Sequence, residues 1–269
     1  MRGTILPINK RKSKYYSYFS RQRDRIMHSE VSIIIPTLNE ENTLERTLRN
    51  LTQLNPSPFE IIVVDGGSKD NTLETAKQAD KILVSPKAGR SIQMNLGAQT
   101  AKGKILCFIH ADTLVPDDLL LLIEKTIADP TIACGGFISL MTGTTTRWSF
   151  TLNNYLKTYY APLLFRPHLF FLKGLRILFG DQAMFCRRQD FLDCGGFDPD
   201  LPILEDADLC LKLLKYGRIY LVNRVIQTSD RRIVKWGFFK AHAIYFYVGF
   251  LWGAGVSASY LRKFYQDIR

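Results

Sequence analysis

With 269 residues, 46% of them hydrophobic, the chain can bury one large core, and a single α/β domain with a C-terminal extension is the simplest division; two equal domains are disfavoured. The formal net charge of +11 suits nucleic acid, an anionic membrane surface or a phosphorylated substrate; its placement decides among them, much of it is terminal, and no nucleic acid partner is expected. Five cysteines, Cys107, Cys134, Cys186, Cys194 and Cys210, are odd in number, widely spaced and mostly set among apolar residues, which argues against a zinc cluster and for core-filling thiols in a reducing compartment.

Residues 1–30 carry Arg2, Lys10, Arg11, Lys12, Lys14, Arg21, Arg23 and Arg25 against Asp24 and Glu30, with Tyr15, Tyr16, Tyr18 and Phe19 interleaved. This reads as a flexible basic arm without the apolar stretch of a secretory signal; a solvated tail and attraction to acidic lipid both stay open. From Val31 the pattern alternates strand and helix: strand 31–35, helix 41–54, strand 60–64, helix 71–79, strand 81–84, helix 90–101, strand 104–109 and helix 116–128. Such alternation predicts a mostly parallel, Rossmann-like sheet between helices. The apolar runs stop abruptly in polar residues, as central parallel strands do where their carboxyl ends open into a ligand crevice.

Past Gly135 and Gly136 the periodicity degrades into an aromatic and basic region from Trp148 to Phe179. Leu204 to Lys215 predicts a helix with acids in its first turn and lysines toward its end, as the backbone dipole prefers, and strand-like stretches follow at 218–223 and 225–228. From Ala243 to Leu261 there is no formal charge, Gly249 and Gly253 have small-xxx-small spacing, and the length is at the edge of a bilayer span. A soluble core helix, an interfacial helix and a true span all stay open. The expected division is a basic arm over 1–30, a catalytic domain over 31–232 and a hydrophobic, aromatic helical segment over 233–269.

A nucleoside diphosphate site must hold base, ribose and phosphates, and then neutralise charge on the phosphates as the transferred group leaves. His110 and Asp112, two residues apart, share one side if the strand continues through them, and an imidazole with a carboxylate suits Mn2+ while a carboxylate alone suits Mg2+. The plain alternative is a helix-capping Asp112 and a buried structural imidazole. Asp65 suits a ribose or base, or belongs to a turn with Gly66, Gly67 and Ser68; Arg90, Gln93 and Asn95 face the same crevice or form an ordinary helix start. No G-x-G-x-x-G follows the first strand and there is no Walker lysine motif, which removes the usual dinucleotide and triphosphate readings. Glu205 and Asp206 are the acid–base candidates, because an alcohol needs a carboxylate within reach of its proton; the alternative is a pair of helix N-terminal charges.

Taken in order, I-I-I-P-T-L-N-E, V-V-D-G-G-S-x-D-N-T, G-R-x-x-Q-M-N-x-G, F-I-H-A-D-T, G-D-Q and L-E-D-A-D-L resemble a family 2 glycosyltransferase of the GT-A fold, over Val31 to Arg232. The likeness is to the branch labelled rSAM/selenodomain-associated transferase 2, itself similar to carotenoid-acid glycosyltransferases. The resemblance implies inverting transfer from a nucleotide sugar with a divalent cation, Pro36, Thr37, Glu40 and Asp65 around the nucleoside, Asp112 as the metal-binding aspartate and Asp206 as the general base. Gly180, Asp181 and Gln182, with Glu205, then line the acceptor side, and Arg231 and Arg232 stabilise the leaving diphosphate. His110 stands where the wider family has the first aspartate. The Q-x-x-R-W signature of processive synthases is missing, so polymerisation is disfavoured. The expectation is a cytosol-facing enzyme, peripheral on the inner face of the cell membrane, that moves one sugar to a lipid-like or small acceptor. The competing readings are a sugar-phosphate nucleotidyltransferase and a non-catalytic membrane-surface binding protein.

Overall fold

Val31–Thr37 (β1) and Glu60–Asp65 (β2) are the strands that their unbroken apolar runs predict, and every residue of β2 is buried because both faces of the sheet are covered. The computed structural model describes residues 29–143, 146–201 and 203–264; all of the basic arm but Ser29 and Glu30 lies outside them. The chain continues as α1 (Leu44–Thr52), β2, α2 (Thr72–Thr75) with a 3-10 turn over Ala76–Gln78, β3 (Lys81–Val84), α3 (Arg90–Thr100), β4 (Ile105–Phe108), α4 (Leu119–Ile127) and β5 (Ile132–Thr142). Then come α5 (Trp148–Phe165), α6 (Pro167–Lys173), a 3-10 turn at Gly180–Gln182, β6 (Phe185–Arg187), α7 (Arg188–Asp193), α8 (Glu205–Leu213), β7 (Arg218–Ser229), α9 (Arg231–Trp236), α10 (Phe238–Gly253) and α11 (Ala258–Leu261).

The seven strands order as β3-β2-β1-β4-β6-β5-β7. All pair in parallel except the two contacts of β6, which runs antiparallel to β4 and β5. Side-chain alternation divides the core between the two faces: Ile33 and Ile35 pack with Leu44, Leu48 and Leu51 of α1 on one, Ile34 with Met94 and Ala98 of α3 on the other. The two stretches expected at 218–223 and 225–228 are one strand, β7, whose pairing with β5 slips between Phe137 and Ile138.

One region departs from the sequence expectation, and at the C-terminus the structure bears on the alternatives left open there. The aromatic stretch from Trp148 is helical as α5 and α6, with Pro162 inside α5; apolar residues fall on all sides of α5, so no clean period marks it. Near the C-terminus, α10 has 16 residues, and among the described residues no helix is long and apolar enough to cross a membrane. The Gly249–Gly253 spacing serves an intrachain contact: a Cβ on Gly253 would stand 2.2 Å from the Phe165 ring of α5. Four of the cysteines, Cys107, Cys134, Cys186 and Cys210, are buried as core thiols.

Gly97 seats α3 on the sheet, since a Cβ there would stand 2.6 Å from Ile34 Cγ2 and 3.1 Å from Val64 Cγ2. Gly97→Ala is expected to lower stability in urea unfolding by about 1–3 kcal/mol, against the gain of about 1 kcal/mol that alanine brings to a helix. An unchanged or raised midpoint would show that α3 lifts off the sheet without cost.

Candidate active site

The carboxyl ends of β1, β4 and β7 open onto a cleft of about 500 Å³ whose walls include Pro36, Thr37, Glu40, Arg90, His110, Asp112, Gly180, Asp181, Glu205, Asp206, Arg231 and Arg232. Asp112 and Asp206, 94 residues apart in sequence by their numbers, thus meet in one space. β4 ends at Phe108, so His110 and Asp112 do not continue a strand as expected; they sit in the loop beyond it and reach the same cleft from there.

On one side of the cleft, Arg231 donates two hydrogen bonds to Glu40, Nη1 to Oε2 at 2.7 Å and Nη2 to Oε1 at 2.6 Å. The same Nη2 lies 3.4 Å from Asp112 Oδ2. Burial pushes the Asp112 carboxyl above its ordinary range; Arg231 opposes this and the negative charge of Glu40 adds to it. Asp112 Oδ1 is buried with no hydrogen-bond partner. Such an atom is costly unless something supplies a positive charge or a donor. Among the described residues no three His, Cys, Asp or Glu side chains cluster as a metal cage. Asp112 through Oδ1, and His110 in the same cleft wall, are the residues that could hold a divalent cation, with other ligands from outside the protein.

Elsewhere in the cleft wall, α8 opens with Glu205 and Asp206, both buried, directly after Leu204 in a left-handed conformation at φ 66°. For leucine that conformation costs about 1–2 kcal/mol, and it sets the two carboxylates at the helix start facing the cleft. Arg90 pairs with Glu205, and its Nη2 lies 3.9 Å from Asp206 Oδ2. Burial, followed by the neighbouring Glu205, pushes Asp206 up to about 7, with Arg90 pulling the other way. Gly180 keeps the approach open: a Cβ there would stand 2.9 Å from Asp206 Oδ2 and 2.9 Å from His110 Nε2. Asp181 accepts hydrogen bonds from Ser139 Oγ at 2.8 Å and Asn154 Nδ2 at 2.9 Å.

Three expected site residues stand outside the cleft wall. Asp65 is fully buried and accepts from the N–H groups of Gly67 and Ser68, both at 2.8 Å, so its carboxylate shapes the turn after β2. Asn95 is bracketed on the backbone of Phe197, donating to its carbonyl at 2.8 Å and accepting from its N–H at 3.0 Å. Gln182 is fully buried and accepts from Phe179 N–H at 2.8 Å, which closes the Gly180–Gln182 turn. In each case the polar side chain satisfies nearby backbone, which a sequence pattern cannot distinguish from ligand binding. Conversely Asn154, Lys157, Tyr245 and Val248 line the cleft although the sequence reading named none of them. The one available signal was Lys157, the single charged residue of a helix rich in aromatic and aliphatic side chains. Tyr245 and Val248 also show that the segment after 232 forms part of the wall.

The model of "Glycosyl transferase family 2" matches residues 32–196. A Mycobacterium tuberculosis protein, MT1568, is 27% identical over 205 residues, 71% of this chain; the chain spans 64% of that relative's length. The PGL/p-HBAD biosynthesis glycosyltransferase of Mycobacterium bovis is 28% identical over 67% of this chain and 68% of its own. Among solved structures, the mannosyltransferase PcManGT of Pyrobaculum calidifontis, in complex with GDP-Man and Mn2+, superposes with a TM-score of 0.61 at 21% identity, covering 86% of this chain and 67% of that one. Glucosyl-3-phosphoglycerate synthase of Mycobacterium tuberculosis, in complex with Mn2+, UDP and phosphoglyceric acid, superposes with a TM-score of 0.57 at 20% identity, covering 85% and 79%. The fold is that of these proteins, the GT-A architecture.

The raised Asp206 makes stability depend on pH with a definite sign. Between its ordinary value of 3.8 and about 7 the folded state holds a proton that the unfolded state has released, so this group's contribution falls as pH rises through that window. Asp206→Asn removes the penalty. The variant is expected to exceed the wild type in stability by about 1–3 kcal/mol at pH 8, and by much less at pH 5, in urea unfolding. A difference that does not change with pH would contradict the raised value.

Proposed function

The chain belongs to glycosyl transferase family 2, and from that premise we propose that it moves a single sugar, with inversion, from a nucleotide-sugar donor to a lipid-like or small acceptor. Inversion in one displacement needs a base beside the incoming oxygen and positive charge beside the departing diphosphate. The observation that carries the reading is one cleft holding Asp206, buried and shifted to about 7, together with a separate cluster of Glu40, Asp112 and Arg231.

Asp206 takes the acceptor's proton as the new bond to the anomeric carbon forms and the bond to the diphosphate breaks, the diphosphate leaving with the electron pair. A carboxylate near 7 is a stronger base than an ordinary one, and a useful fraction of it is ionised at neutral pH. Arg90 and Glu205 keep it in place, and Gly180 with Asp181 forms the acceptor wall beside it. When bound, a divalent cation, Mn2+ or Mg2+, would neutralise charge growing on the diphosphate. Asp112 through its open oxygen, and His110, are the residues that would hold it. Arg231 and Arg232 supply guanidinium groups to the same oxygens, Arg231 by exchanging Glu40 for phosphate. Pro36 and Thr37 form the wall for the nucleoside, and Asp65 acts on it through the turn that it organises.

The setting we propose is the cytosolic face of a membrane, with residues 31–232 as the transferase and 233–269 as an extension that completes the cleft. Support comes from large apolar side chains left outside: Leu172 is 83% exposed and Phe239 84%. Basic residues of the 1–30 arm add attraction to anionic lipid.

Asp206→Asn is expected to lower sugar transfer by about 10²–10⁴-fold, while calorimetric binding of UDP or GDP in the presence of Mn2+ is unchanged. Asp112→Asn is expected to remove the part of nucleotide affinity that depends on Mn2+. Full turnover by the Asp206 variant would refute its assignment as the base, and a nucleotide affinity indifferent to Mn2+ in the wild type would refute the role of Asp112.

A further inference from the structure

The chemistry proposed for the cleft leaves Lys157 unused. It is the one charged residue of α5 and only 8% exposed. Its Nζ stands 3.9 Å from the centre of the Phe179 ring and 5.8 Å from that of Tyr245, and among the described residues it forms no salt bridge. Burial pushes the ammonium down to about 8; Asp181 pulls it up without offsetting the burial. An aromatic face compensates a desolvated cation only in part, so this group lacks a full counter-charge.

Behind Lys157 lies a second cavity of about 130 Å³ between α5 and α10, walled by Ala161, Leu164, Phe165, Phe250 and Trp252. It shares Lys157, Phe179, Leu204, Ala207 and Gly249 with the cleft that holds Asp206, so the cation stands where an apolar space meets a polar one. An apolar space of this size takes a benzene-sized group. A carboxylate arriving at Lys157 would supply the missing charge, and an attached chain would fill the space beyond. With one ammonium and the carboxylate of Asp181 acting on it, a singly charged head is favoured over a doubly charged one.

We propose that this is an acceptor subsite: the acceptor is an anionic amphiphile with one negative charge, which pairs with Lys157, while an apolar segment of about six carbons occupies the cavity between α5 and α10. The proposal rests on the transferase reading for the word acceptor; the binding site itself does not.

The test is equilibrium binding to the full chain, followed by tryptophan fluorescence because Trp252 is in the cavity wall, with decanoate, decanol, decyl phosphate and acetate, each below its micellar concentration. Decanoate is expected to bind about ten-fold tighter than decanol, as one charge-assisted contact allows, and tighter than acetate and decyl phosphate. Lys157→Met should remove the preference for acid over alcohol while keeping decanol binding, and Ala161→Phe should weaken decanoate and decanol alike. Thermal unfolding midpoints check that both variants fold, and the wild-type series stands by itself if one does not. Decanoate binding no tighter than decanol, an acid preference that survives Lys157→Met, or chain binding untouched by Ala161→Phe would overturn the subsite. Tightest binding of decyl phosphate would overturn the single charge. UDP and GDP titrations on the same samples read the cleft separately: if nucleotide binds and amphiphile selectivity is missing, only the subsite fails. If no nucleotide binds, the transferase reading fails and the amphiphile result is judged alone.

Discussion

The paired hydrogen bonds between Arg231 and Glu40 join the loop after the first strand to the segment after the last, across 191 residues of sequence. That contact ties two parts of the cleft wall that are far apart in the chain. Glu40 is buried, so it is stable as a charge only with a cation beside it, and the planar guanidinium meets both of its oxygens at once. The same arginine leans on Asp112 and its own affinity for a proton is raised, chiefly by the hydrogen bonds to Glu40. One side chain thereby sets the position of two carboxylates that come from β1 and β4.

The other half of the cleft is built by a different device. Asn39, Ala183 and Leu204 are the described non-glycine residues with left-handed backbone, and each adjoins a wall or turn residue: Glu40, Gln182 and Glu205. Such conformations cost energy for residues with a Cβ and persist only where the surrounding packing dictates them. Here the packing is supplied by the two core faces, by Asn95 clamped on Phe197 and by Asp65 on its own turn. The polar residues that do not touch the cleft thus hold in place those that do.

The cleft holds two ion pairs and two groups shifted by burial. Arg90 with Glu205 and Arg231 with Glu40 are paired, while burial pushes Asp206 up to about 7 and Lys157 down to about 8. Groups in that range exchange protons at physiological pH, and Lys157 also borders the apolar space between α5 and α10. The polar chemistry of the sheet edge and the apolar shelter of α5 and α10 meet at Lys157.

The sequence by itself determined the parallel strands, most of their helices and the family, because buried strands read as unbroken apolar runs and because the motifs after them recur in a fixed order. It also placed Glu205 and Asp206 at a helix start and His110 and Asp112 just past a strand, although these two sit in the loop beyond β4 and do not extend it. Only the tertiary structure decided that Asp112 and Asp206 face one space, that Arg231 reaches Glu40, and that Asp65, Asn95 and Gln182 are spent on backbone. It alone decided that the aromatic stretch after Trp148 is helix and that Lys157 points into the cleft. The physical reason is range: burial patterns and caps act within a few residues and leave a local trace, whereas ion pairs and cavity walls join residues far apart, and their partners appear only once the sheet has brought them together.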